Sequence, residues 1–203
     1  MQQAKPTNPL LMPLFDELRG KRVIVRPYRD EDAANLQAAV AESRDHIRPW
    51  LPFADFHQTV EDSLLWIIEQ RARWILRENM NCAVVDAQTG RYLGGTGLHP
   101  RGWSIPAFEI GYWLRSSTEG KGYMTEAVQL LTDFAFDTLG AKRVMIQCDE
   151  ANTRSANVAR RLGYKFEGLI RNDFLDPGGA VRNTFMFSLI PEEWVEIKLQ
   201  QET

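Results

Sequence analysis

Two sets of residues in this chain have types and spacings suited to chemistry. Gly120-Lys121-Gly122 stands between an apolar alternating stretch that ends near Arg115 and a helical pattern that starts near Lys121. Glycines let backbone N–H groups turn toward an anion, and a helix N-terminus adds the positive end of its dipole, so this placement predicts a phosphate cradle. It is not a P-loop, because no Gly-x-x-x-x-Gly-Lys-Ser/Thr occurs. Nor is it a dinucleotide fingerprint, because Thr125 stands where the third glycine belongs. The second set is Glu109, a lone carboxylate on an otherwise apolar strand pattern, a candidate for proton transfer. Metal chemistry has little to draw on. Cys82, Cys148, His46, His57 and His99 are the only soft ligands and form no Cys-x-x-Cys, so no metal site is expected. Both cysteines lie in apolar runs and predict buried thiols, and His57 and His99 read as surface or hydrogen-bonded residues.

These residues need a scaffold, and the periodicity supplies one. Residues 1–20 hold three prolines and no periodicity, an extended lead-in, and 21–200 read as one domain. Val23, Ile24 and Val25 mark a strand over 21–28. Asp30 then caps a helix carrying Leu36 and Val40, and prolines 49 and 52 make 44–56 a loop. Thr59 and Asp62 open a helix that runs to about Glu78. Strands follow at 83–86, 92–99 and 106–115, the first two joined by a turn at 88–91. Met124, Ala127, Val128, Leu131, Phe134, Ala135 and Leu139 form the clearest amphipathic helix, ended by Gly140. A strand at 141–149 follows. A helix at 152–162 is closed by Gly163, and strands at 164–175 and 180–190 complete the chain. The order implies an α/β (α+β) fold, with helices on both faces of a mixed, mostly antiparallel sheet of about seven strands.

Composition narrows the function classes. With 203 residues, 44% hydrophobic and 25% charged, the chain fits one globular unit. Twenty-four Lys and Arg against 27 Asp and Glu leave a formal charge of −3, with no basic surplus for direct nucleic-acid binding. The longest uninterrupted apolar run is 64–68, so neither a signal peptide nor a membrane span is expected and the cytoplasm is the default location.

Ser117-Thr118-Glu119-Gly120-Lys121-Gly122 resembles the coenzyme A signature of the GNAT superfamily of acyl-CoA-dependent N-acetyltransferases, Gln/Arg-x-x-Gly-x-Gly/Ala. It matches both glycines and departs at Ser117. Stretches 109–114, 122–127 and 152–168, with 22–27 and 48–52, are similar to the branch of RimJ/RimL ribosomal-protein N-terminal acetyltransferases. The resemblance covers about 20–195 and implies the GNAT fold, in which the fourth and fifth of the seven strands, at 107–115 and 141–149, splay apart. Acetyl-CoA would enter that gap, its pyrophosphate on the turn carrying Glu119, Gly120, Lys121, Gly122, Tyr123 and Met124, its pantetheine on the backbone of Trp113 and Leu114. Asn152, Ser155, Asn157 and Arg160 would lie near the coenzyme. Three groups compete for the proton work under this resemblance: Ser155 as donor to the leaving thiolate, Asp173 as a water-activating carboxylate, and Glu109 as the base other branches use.

The acceptor is read from basicity. An α-amine with a pKa near 7.7–8.0 is about a tenth neutral at pH 7, whereas lysine, near 10.4, is neutral in well under one part in a thousand. A site without a histidine or paired base in its motifs therefore suits a protein N-terminus. Trp50 and Phe53 in the proline-rich loop, with Tyr112 on the strand, are candidates to line the acceptor groove. The alternatives are a small amine such as a polyamine or aminoglycoside, and a non-catalytic acyl-CoA-binding module. Either a monomer or a homodimer is compatible with the chain.

Overall fold

Branched residues start the sheet: Val23 and Val25 are fully buried, and the residues between them face the other side of the strand. The computed structural model describes residues 8–201; positions 1–7 of the lead-in lie outside the described residues. In chain order the elements are β1 (Leu18–Arg19), β2 (Val23–Pro27), α1 (Ala33–Ile47), α2 (Val60–Leu76), β3 (Met80–Asp86), β4 (Tyr92–Gly102) and β5 (Ala107–Leu114). Then come α3 (Tyr123–Asp137), β6 (Arg143–Asp149), α4 (Thr153–Arg161), β7 (Lys165–Leu175), β8 (Val181–Leu189) and α5 (Pro191–Gln201).

The strands form one sheet of eight in the order β1-β2-β3-β4-β5-β6-β8-β7. Among the described residues β5 and β6 are the parallel pair, matched only from Ala107 with Arg143 to Glu109 with Met145. Beyond Glu109 the two strands part. One core cluster joins Val23, Val25, Phe108, Ile110, Val144 and Ile146 to α3, α4 and Trp194 of α5. The other joins Ala83, Val85 and Tyr92 to α1 and α2, with Trp113 packed against it. Alternation along β5 therefore feeds both layers.

Three expectations are corrected. The sheet has eight strands, because Leu18 and Arg19 pair with Val25 and Ile24, and Phe15 joins the core. Asp30 does not cap α1: 30–32 is a 3-10 turn, and Asp32 instead takes Arg26 at 2.7 and 2.8 Å and the Arg29 N–H at 2.8 Å. Helix α1 persists through Ile47, since Pro49 is the first residue unable to donate to its ladder. The capping box at Thr59 and Asp62 is present, and Arg77 closes α2 in the left-handed region.

Candidate active site

Where β5 leaves β6, the 110–114 edge of β5 has no ladder on that side, and a cleft of about 1600 Å³ opens there. The turn before α3 forms one wall. Gly120 and Gly122 hold φ of +74° and +78°, and Gly122 is the N-cap of α3. The conformation favours glycine at 122, and a Cβ there would also press on the Arg22 guanidinium at 3.3 Å. Arg22 donates to the carbonyls of Lys121 at 2.7 Å and Gly122 at 3.3 Å, and its Nε to Glu126 at 2.8 Å. Peptide planarity then points the N–H groups of the same peptides the opposite way. Among the described residues no acceptor takes the N–H groups of 120–124. Five free donors at a helix N-terminus fit a pyrophosphate.

Ser117, where the resemblance expects Gln or Arg, is committed elsewhere. Its N–H donates to Glu42 of α1 at 3.0 Å, and Arg91 donates to its hydroxyl at 3.1 Å. Partial burial opposes ionisation of Glu42, but hydrogen bonds from Ser117 and Arg115 bring its pKa down to about 2. Glu119 reaches across the cleft mouth to His46 of α1 and Arg154 of α4.

On the other wall, Asn152 caps α4 by accepting the Ser155 N–H at 3.1 Å. The Ser155 hydroxyl donates to the Tyr112 oxygen at 3.1 Å, and the Tyr112 hydroxyl donates to the Ser155 carbonyl at 2.9 Å. Burial drives the Tyr112 phenol well above its usual range, so it stays protonated. Cys148 lines the cleft beside this pair; burial raises its thiol as well.

Two carboxylates line the cleft from neighbouring strands. Glu109 accepts Arg101 through Nε at 3.0 Å and Nη2 at 2.7 Å, both on Oε2. Asp149 ends β6; its Oδ1 accepts Arg182 at 2.9 Å and the Ala151 N–H at 2.7 Å. No sequence pattern assigns a place in the cleft to Asp149, Arg22, His46 or Arg154, since each has a partner from a distant element.

The cleft brings together Trp50, Glu109, Tyr112, Trp113, Leu114, 119–122, Met124, Asn152, Ser155 and Asn157. Four anticipated side chains lie outside it, although the Tyr123 N–H remains part of the turn. Phe53 packs on Trp113 and His57 with ring centroids 5.5 Å apart in each pair. Tyr123 lies under the Arg22 guanidinium at 5.7 Å, and Arg160 lies over Phe187 at 5.5 Å while donating to Asn157 at 3.2 Å. Asp173 is exposed on β7, where the register with β8 is irregular between Ile170 and Phe174. His57 is the hydrogen-bonded alternative rather than a surface residue: it is fully buried and bonded to Ser63 at 3.0 Å through Nδ1, with Nε2 lacking a partner among the described residues.

Comparison with known proteins gives the family and the fold. A family model for the acetyltransferase (GNAT) domain matches residues 22–165. "Probable N-acetyltransferase YjcK" of Bacillus subtilis is 33% identical over 159 residues, 77% of this chain and 87% of that protein. The [ribosomal protein uS5]-alanine N-acetyltransferase of Escherichia coli is 26% identical over 186 residues, covering 87% and 92%. Among solved structures, RimL, a ribosomal α-N-protein acetyltransferase in complex with coenzyme A, shares the fold. Its TM-score is 0.79 at 18% identity, covering 86% of this chain and 97% of that one.

Proposed function

Because the chain belongs to the GNAT acetyltransferase family, and is an N-acetyltransferase as its relatives are, we propose that it moves an acetyl group from acetyl-CoA to the N-terminal α-amine of a protein in the cytoplasm. The observation that carries the donor half is the row of unpaired N–H groups at 120–124, beside the unladdered edge of β5. Coenzyme A supplies an acetyl group activated as a thioester. The N–H groups of the turn hold its pyrophosphate, and the open edge at Trp113 and Leu114 offers backbone groups to the pantetheine amides. An N–H on that edge facing the thioester oxygen would stabilise developing negative charge, worth about 2.7–4 kcal/mol for a well-aimed donor.

Ser155 turns its hydroxyl proton from the Tyr112 oxygen to the departing sulfur, while the Tyr112 hydroxyl, donating to the Ser155 carbonyl, holds the pair together. As the C–N bond forms and the C–S bond breaks, the amine nitrogen loses one proton. That proton returns through solvent to Ser155, so one amide and one thiol result. Glu109, tied to Arg101, is the base candidate that the cleft retains; Asp173 stands outside it. Relatives named for uS5 and other ribosomal proteins support a protein N-terminus as acceptor.

The test is thiol release from acetyl-CoA over peptides with free N-termini, peptides whose only amine is lysine, and polyamines. Turnover at least tenfold higher in kcat/KM for free N-termini is expected. Preference for polyamines would move the assignment to small amines, and coenzyme binding without release over the whole panel would leave a binding module.

A further inference from the structure

We infer that Asp149 is the seat of the acceptor's ammonium group: its unpartnered carboxylate oxygen receives an N–H of the incoming α-amine beside the open edge of β5. This rests on the reading of the cleft as an amine acetyltransferase site. Along β6, Val144, Ile146 and Cys148 are buried in the layer of α3 and α4. Alternation puts Met145, Gln147 and Asp149 on the opposite face, and Met145 is the register partner of Glu109. Asp149 therefore shares a sheet face with Glu109, four residues further along the diverging strand. On this face α1 and α2 pack over β4 and β3, while Gln147 and Asp149 line the cleft.

The chemistry of the carboxylate is asymmetric. Its side chain is only 2% exposed, and both of its protein donors, Arg182 and the Ala151 N–H, sit on Oδ1. Oδ2 is buried and has no hydrogen-bond partner. Buried polar atoms are nearly always satisfied, and a carboxylate oxygen left without a donor is costly, so this oxygen is adapted to receive one. The two bonds on Oδ1 act as a pivot, and Oδ2, which presents no surface of its own, turns toward the cleft to meet the amine. Glu109, which also carries two bonds on one oxygen, is the weaker candidate because its side chain is 15% exposed and water can satisfy its second oxygen. An ammonium brings charge and three N–H donors, one of which it releases to solvent before the neutral amine attacks, whereas the acetylated product is neutral with a single amide N–H. Asp149 would therefore favour acceptor over product.

A purely structural Asp149 would tie β8 to the turn before α4 and do no more. Calorimetry on coenzyme-saturated protein separates the two roles, using an alanyl tetrapeptide amide with a free N-terminus and its N-acetylated form as probes. For Asp149→Asn we expect coenzyme affinity within twofold of wild type. Affinity for the free-amine peptide should fall at least tenfold, and that for the acetylated peptide should stay within twofold. Equal losses for both peptides, no loss for the free amine, or wild-type protein that does not distinguish the two would overturn the proposal. If Asp149→Asn loses the coenzyme, Asp149→Ser carries the same comparison. Thiol release by wild type with the free-amine peptide is read separately: discrimination between the peptides without release would retain the Asp149 seat and remove the N-terminal acetyltransferase reading.

Discussion

Ser155 and Gly122 show what a single side chain decides. Ser155 holds its hydroxyl against Tyr112 at 3.1 Å, so Ser155→Ala removes a proton donor without touching the phosphate turn. We expect kcat to fall about a hundredfold, the low end for general acid–base groups, with coenzyme affinity within twofold. An unchanged kcat in steady-state assays would take Ser155 out of the reaction. Gly122→Asp places an anion in the cradle, forces a side chain into φ +78° and crowds Arg22. Coenzyme binding should be lost by calorimetry, and retained affinity would refute the pyrophosphate assignment. Gly122 was legible from its immediate neighbours at a helix start, whereas Ser155 was singled out only through the family resemblance. Asp149 was not, since its orphan oxygen is defined by Arg182, 33 residues away, and by the parting of β5 from β6.

At the scale of elements, the turn before α3 depends on β2. Arg22 takes two turn carbonyls and Glu126, so it aims the N–H groups although it need not touch the coenzyme itself. Arg22→Gln should raise the coenzyme Kd about tenfold and leave acceptor KM within twofold, while Arg22→Lys recovers part of the loss. A change in acceptor KM alone would assign Arg22 elsewhere. Helix starts such as Thr59 and Asn152 were readable because their caps are local. The boundaries that misled had non-local causes. Asp32 is claimed by Arg26 on β2 rather than by the helix start, and α1 runs on to a proline instead of stopping at a change of composition. Helix α5 escaped notice because its apolar positions are few; Trp194, packed on Phe136 with ring centroids 5.3 Å apart and donating to Asp133 at 3.1 Å, is what docks it.

For the whole molecule, acid stability has a distinct source. Burial, together with the nearby Arg44 cation, depresses His57 from 6.5 to about 4, although Asp62 pulls the other way. Between those values the unfolded chain binds a proton that the folded chain refuses. The resulting stability is full above about pH 6.5 and is lost as pH falls toward 4, by up to about 3 kcal/mol. Urea midpoints should therefore drop across this window, and His57→Gln should flatten that limb; an equally steep limb in the variant would show that other groups govern it. His99, also depressed to about 4 by burial and by Arg101, adds to the same limb.

What the sequence by itself determined were the features encoded by period and neighbour. These are the alternating strands, the amphipathic α3, the glycine turn at its start, the helix over 152–162, and the mostly antiparallel order. Tertiary structure alone decided which of the candidate groups share a space. It set Tyr112 against Ser155, brought Arg22 under the turn and Asp149 into the cleft, and left Asp173, Phe53 and Arg160 outside. The physical reason is that hydrogen bonding and periodicity act over a few residues. The cleft arises where two strands joined through α3 pair for only three residues and then diverge, a separation set by packing of both helical layers against one twisted sheet.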